Sequence, residues 1–266
     1  MADILRHKPV NWIDGMKINR QHFVQQDAAM RAYATTLFGS MVQPGNYGLV
    51  PVNGAVKPAD YNLQLDGREL SARITRCYGI TPGGYLAAIS NEEEGQSAVL
   101  YIQLLDATFK MAVTGDAFLV CISINPNAFK ATGVAAENEE PYRQPFTEPA
   151  YGLEIISQQN ILTHAGWHLL PIGRLLVSGD FVAIDEGYIP PCMAINSHPQ
   201  LLGLYNNCAQ LLFSIENQSL TILKKINQKN QTDPLPVMVR HLTADLLYAL
   251  TLVLPFFRND GAYEKP

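Results

Sequence analysis

Tyr61-Asn62-Leu63-Gln64-Leu65-Asp66-Gly67-Arg68-Glu69-Leu70-Ser71-Ala72-Arg73-Ile74-Thr75-Arg76-Cys77 reads as two short strands about a turn. Asp66-Gly67 supplies residue types that take up positive φ at low cost, and apolar and polar side chains alternate on either side of it. The same texture runs from Gly48 to about Pro191. Strands are expected over residues 49–52, 61–65, 69–77, 85–90, 99–105, 117–124, 152–157 and 167–177, with further turns at Pro82-Gly83-Gly84 and Thr114-Gly115-Asp116. Short strands without long helices between them predict a β-sandwich. Between Asn125 and Ala150, Pro126, Pro141, Pro145 and Pro149 with Glu137, Glu139 and Glu140 read as a long exposed excursion from it.

Outward from this region the period changes to that of helices. Residues 20–38 predict a helix with Asn19 as N-cap, Phe23, Met30, Ala34 and Leu37 on one face, and Gly39 and Pro44-Gly45 as its end. Beyond Pro190-Pro191 a helix is expected over 199–227. A heptad row holds Leu201, Leu204, Cys208, Leu211, Ile215, Gln218 and Ile222, and a second row holds Leu202, Tyr205, Ala209, Leu212, Leu223 and Ile226. Glu216 and Ser219 interrupt the second row and Gln218 the first. Two adjacent seams make a stripe wide enough to touch neighbours on two sides, as in a bundle or trimeric stalk; the alternative is that the helices pack only on each other. A further helix is expected over 234–254, opened by Asp233-Pro234 and stopped by Pro255. The fold class is therefore mainly β with helices: a β-sandwich domain over residues 1–192 and a helical stalk over 193–266.

The chain has 266 residues, 47% hydrophobic and 16% charged, with net charge −5. That describes an ordered protein with a lightly charged surface. The longest basic cluster, Lys224-Lys225, is no stripe for neutralising phosphates, so nucleic acid is not an expected partner. Cys77, Cys121, Cys192 and Cys208 form no Cys-x-x-Cys pair and suit a reducing, cytoplasmic compartment. The N-terminus lacks an apolar segment of signal-peptide length. The most apolar stretch, residues 242–257, is shorter than the ~20 residues of a membrane span and predicts a buried helix.

Chemistry is sparse. His164 and His168 are four apart, but Gly166 and the strand-like context argue against a metal-binding helix. His22 has no accompanying nucleophile motif and reads as structural, packed near Trp12. Asn217-Gln218-Ser219 and Asn230-Gln231-Thr232 are chance sequons in a cytoplasmic chain. The reading is of a non-enzyme without cofactor or metal. Trp12, Met16 and Phe23 are apolar anchors around the backbone pivot Gly15. They are either core, where the N-terminus closes the sandwich, or part of a surface that grips a partner.

Three blocks carry a resemblance. Trp12, Gly15, Met16, Gln21, His22, Phe23, Gln25 and Gln26 are similar to the Trp-x-x-Gly-Met and Gln-His-Phe-Gln-Gln start of the TssK family of type VI secretion baseplate subunits, with Val24 for the commoner Gln and Arg20 for the customary Pro. Asn46-Tyr47-Gly48-Leu49 resembles the family's Trp-Gly-Leu. Ile172-Gly173-Arg174, then Gly187-Tyr188-Ile189-Pro190-Pro191-Cys192, resembles Ile-Ala-Arg followed by Phe-Ile-Pro-Pro-Cys. The resemblance implies a shoulder like that of phage receptor-binding proteins, a trimerising neck, and docking of the shoulder onto the TssF/TssG wedge through Trp12, Met16, His22 and Phe23. It places Leu201, Leu204, Tyr205, Cys208, Leu211, Leu212, Ile215 and Ile222 in the trimer neck. The family's C-terminal head finds no counterpart before Pro266, so either it was removed or this is a Bacteroidota-type short form. The head's contact with the membrane complex, and direct membrane insertion, are accordingly not expected. Two other classes remain in view: a receptor-binding or baseplate protein of a phage tail or other contractile injection system, and a carbohydrate-binding or hydrolytic β-sandwich.

Overall fold

A computed structural model of the chain describes residues 7–51, 59–67, 69–90, 98–103, 117–135, 140–163, 166–178, 181–228 and 233–258. Along these run helix α1 (Arg20–Met41) and strands β1 (Gly48–Leu49), β2 (Ala59–Asp66), β3 (Glu69–Ile80), β4 (Leu86–Ser90), β5 (Ala98–Gln103), β6 (Ala117–Thr132), β7 (Phe146–Ser157), β8 (Leu169–Ser178) and β9 (Phe181–Ile184). Helices α2 (Pro199–Gln228) and α3 (Pro234–Arg258) follow. The result is mixed β plus α. The chain divides into two compact units, Met1–Met193 and Ala194–Pro266.

The Asp66-Gly67 hairpin forms, with Leu65 opposite Leu70, Leu63 opposite Ala72 and Tyr61 opposite Ile74. Strand β3 is the spine of the first sheet. It pairs with β2 and β1 in turn along one side, and with β5 and β4 along the other. Its buried residues are Leu70, Ala72 and Ile74, then Cys77, Gly79 and Ile80. The step from Ile74 to Cys77 breaks the period of two because the register shifts between Asp60 and Tyr61: Asp60 faces Arg76 while Tyr61 faces Ile74. Thr75 is the extra residue of a β-bulge. The second sheet has the order β7-β6-β8-β9. The sheets meet where side chains press onto glycine: a Cβ on Gly173 would fall 2.3 Å from Leu63 Cδ1, and one on Gly79 2.6 Å from Leu170 Cδ2. At the rim, the Tyr151 hydroxyl donates to Ala88 C=O at 3.1 Å and accepts from Ala88 N–H at 3.2 Å, occupying both outward groups of that residue of β4.

The structure differs from the sequence-based expectation in several places. Of residues 125–150, the described part is a hairpin arm, exposed over most of its length with Ala135 buried. After a register shift between Asn125 and Phe129, pairing resumes from Phe129–Pro149 to Thr132–Phe146. Pro126 cannot donate to the ladder, and Asn125 Oδ1 accepts from Asn127 N–H at 3.0 Å, which isolates the break to that spot. Strand β9 was not expected. Helix α1 runs through Gly39 to Met41, and Val42 N–H closes it on Phe38 C=O at 3.0 Å. Helix α3 continues past Pro255 to Arg258. Turn Thr114-Gly115-Asp116 and His164 lie outside the described residues.

Candidate docking surfaces

Helix α1 starts at a reciprocal cap. Asn19 Oδ1 accepts from Gln21 N–H at 3.0 Å and His22 N–H at 3.3 Å, while His22 Nδ1 accepts from Asn19 N–H at 3.2 Å. His22 thus fills the place that Glu or Gln takes in a capping box. Its Nδ1 lone pair is committed to the cap. The segment before the helix is pinned along it by the two glutamines of the motif: Gln26 Oε1 accepts from Val10 N–H at 3.0 Å, and Gln25 Nε2 donates to Lys8 C=O at 3.5 Å. The chain turns with Met16 N–H on Ile13 C=O at 3.2 Å, and Gly15 has φ +78°. Trp12 then lies against His22 (centroids 6.2 Å apart, edge to face) and Phe23 (6.1 Å).

This aromatic group is only half covered: Trp12 is 45% and Phe23 56% exposed, and Met16 is half-buried. The rest of α1 continues the surface. Met30, Leu37 and Phe38 are exposed, and the buried residues are Ala29 and Ala32. The face that periodicity marked as apolar points outward, and the helix packs through its small residues. A Cβ on Gly84 would fall 2.4 Å from Gly39 N, which shows how closely α1 lies on the Pro82-Gly83-Gly84 turn. Arg31 stands over the Phe129 ring at 4.5 Å.

The other two motif blocks meet each other. Leu49 N–H donates to Pro191 C=O and Met193 N–H to Leu49 C=O, both at 2.8 Å, with Leu49 and Cys192 bridged in parallel. Gly48, at φ +114°, leaves no room for a side chain: a Cβ would stand 1.9 Å from Pro191 O. Beside this corner Arg174 of β8 pairs with Asp185, its Nε 2.7 Å from Oδ2. Gly187 N–H donates to Asp185 Oδ1 at 3.0 Å, and the guanidinium lies 5.4 Å over Tyr188. The Arg174 hydrogen bond, assisted by that from Gly187, holds the Asp185 carboxyl below its usual range. Burial pushes the Cys77 and Cys192 thiols up to about 12, and raises Cys121 too, so these cysteines stay protonated packing groups. His168 lies with Nε2 4.0 Å from Glu154 Oε1. Among the described residues no group of three or more His, Cys, Asp or Glu is arranged to hold a metal.

In the second unit α2 and α3 form a hairpin. Tyr205 stacks on Phe257 at 4.8 Å and its hydroxyl donates to Phe256 C=O at 2.9 Å. The two heptad rows of α2 separate here. Tyr205, Leu212, Leu223 and Ile226 of the second row are half-buried, and Ser219, a break in the apolar pattern, is the buried residue of the helix. In the first row Leu204 is 56%, Leu211 62% and Ile222 41% exposed; Cys208 is exposed, and Leu201 and Ile215 are half-buried. Helix α3 is not the buried helix that its composition suggested. Thr243, Leu250 and Leu254 are buried, but Leu235, Met238, Leu242, Leu246, Val253 and Phe256 are exposed. One partner helix covers one side of it; the other side stays open. By length and composition alone α3 could cross a membrane, and only 17% of its most apolar window is buried.

These parts define a class: a two-sheet β unit followed by a helical hairpin, both showing apolar faces of the kind that bind protein. No protein-family model matches the sequence, and no curated protein does. Solved structures do. One is a crystal structure of TssK, with TM-score 0.53 and 17% identity over 93% of this chain and 56% of that one. A chain of the baseplate complex from the type VI secretion system aligns with TM-score 0.60 and 18% identity over 97% and 83%. TssK of the EAEC type VI system, bound to a nanobody, aligns with TM-score 0.51 and 19% identity over 91% and 80%. The fold is that of TssK, and this chain spans just over half the length of the first of these structures.

Proposed function

We propose that the chain is a structural baseplate component of a type VI secretion system, a homotrimeric adaptor that docks onto the TssF/TssG wedge. Residues 1–192 form its shoulder and 193–266 its neck. It works in the cytoplasm, as a scaffold and not as an enzyme. The observation that carries this reading is the junction of Gly48-Leu49 with Pro191-Cys192, two motif blocks far apart in sequence, within a fold that is TssK's. On this reading the exposed Trp12–Phe23 group is the wedge contact, supported by the resemblance of its motif. The open side of α3 is covered by protein, not lipid. Asp245 lies near the middle of the helix, where a charge in a bilayer costs about 2.5–3.5 kcal/mol.

Two measurements test the reading. Light scattering of the purified chain at micromolar concentration is expected to give three times the chain mass; a monomer with ordered neck helices would overturn the trimer. In a pulldown with TssF and TssG, folded Trp12→Ala and Phe23→Ala variants are each expected to lose at least ~10-fold in retention, as central aromatic anchors do. Normal retention would remove the docking claim.

A further inference from the structure

Several strand edges of the β unit are already occupied or blunted. Leu49 of β1 bonds Pro191 and Met193, Tyr151 takes both outward groups of Ala88 on β4, and β5 lies close to β7. Strand β7 carries Pro149, which has no N–H to offer, and β9 has only four residues. Strand β2 differs. It is eight residues long, without Pro, Gly, Lys or Arg, and its side chains alternate regularly between half-buried and exposed. A loop of two residues joins Asp66 to Glu69, so these two exchange both backbone hydrogen bonds and bonded pairs alternate from there. Asn62 and Gln64 bond to β3, whereas the N–H and C=O of Leu63 and Leu65 point away from it. Among the described residues no hydrogen bond reaches these outward groups.

The side chains beneath this edge are equally unfinished. Leu63 and Leu65 stay half-buried, and so do Val182 and Ile184 of β9, which lies close to β2. All four face inward, since their cross-strand partners are buried: Ala72 and Leu70 on β3, Val177 and Leu175 on β8. Free N–H and C=O groups along the edge, with apolar side chains below them, fit another extended backbone whose residues alternate apolar inward and polar outward. A helix lying there buries the leucines but leaves their outward N–H and C=O groups unpaired. We propose that the edge of β2 is a strand-addition site, occupied by an extended, alternately apolar segment of the TssF/TssG wedge. The inference rests on the wedge-docking reading above and adds a main-chain contact to that of the Trp12–Phe23 group.

Hydrogen exchange on the full chain, read residue by residue with and without purified TssF/TssG, tests this. On binding, the amides of Leu63 and Leu65 are expected to slow at least ~10-fold, while those of Asn62 and Gln64, already bonded to β3, change less. A wedge that binds while both leucine amides exchange as fast as in the free chain overturns the proposal and leaves docking through Trp12 and Phe23 standing. Failure of the wedge to bind removes both readings. Amides already slow in the chain alone, and faster in Leu211→Glu, whose charge on α2 separates the copies, show a second copy on the edge and also overturn the proposal. Leu65→Pro removes one outward donor without breaking a bond to β3, since proline is tolerated on an edge whose N–H faces solvent. Leu65→Ala controls for the lost side chain. Leu65→Pro is expected to retain the wedge at least ~10-fold less well than Leu65→Ala, and equal retention overturns the proposal. The exchange measurement on the wild-type chain needs no variant and decides the question where the proline variant is unfolded.

Discussion

Gly48 is where two segments of the β unit approach to backbone contact, and its lack of a side chain is required twice over. Its φ of +114° disfavours any other residue, and a Cβ would overlap Pro191 O. Gly48→Ala is expected to destabilise the unit by ~3 kcal/mol or more, a fall of roughly 6–12 °C in the thermal midpoint. Gly15, at φ +78° with nothing within 4 Å of the point a Cβ would occupy, isolates the conformational part. Gly15→Ala should lose only ~1–2 kcal/mol. At Asp185 the relevant variable is pH. Its carboxyl is held low by Arg174 in the folded state, so its contribution is fully present above the unfolded carboxylate range, near ~4, and is lost as pH falls through the lower folded value. Asp185→Asn should therefore be less stable than wild type at neutral pH, with the gap closing on acidification. Chemical denaturation at stepped pH reads this directly, and a constant gap would refute it.

At the scale of elements, legibility followed how local the cause was. The Asp66-Gly67 hairpin and the Asn19 cap depend on neighbours in sequence, and both form as read. The outward face of α1 was not legible. Ala29 and Ala32 are its buried residues, and Gly39 lies against the Pro82-Gly83-Gly84 turn, a close approach to a segment remote in sequence. The motif of Trp12, His22 and Phe23 was readable as apolar packing, but its half-exposure was not, because exposure depends on what the fold brings near. Pro255 misled for a similar reason. It removes one helical hydrogen bond, yet Leu254 before it is buried, and Phe256 and Phe257 after it are held by Tyr205. Tertiary contacts outweigh the local penalty. Pro255→Ala is accordingly expected to stabilise the hairpin, by up to ~3 kcal/mol, since the side chain is exposed and the helix already runs through it. A drop in thermal midpoint would show that the proline sets the position of the last turn.

At the scale of the whole molecule, two apolar surfaces lie in different compact units, one around Trp12 and Phe23 and one along α2 and α3. On the proposed function they are coupled only by avidity: the neck gathers several shoulders, and each shoulder adds a modest contact to a multivalent wedge. That separates the two surfaces experimentally. Leu211→Glu places a charge in the middle of the first heptad row of α2 without touching the β unit, and is expected to give a folded monomer. Its retention on a TssF/TssG surface should fall by roughly 10²–10⁴-fold through faster dissociation, while the affinity of a single shoulder, measured with the wedge free in solution, stays at the wild-type value. Trp12→Ala reverses the pattern, with an intact oligomer and weakened contact in both formats. If Leu211→Glu dissociates no faster than wild type, the neck does not serve the docking of the shoulder, and the wedge contact is strong enough by itself.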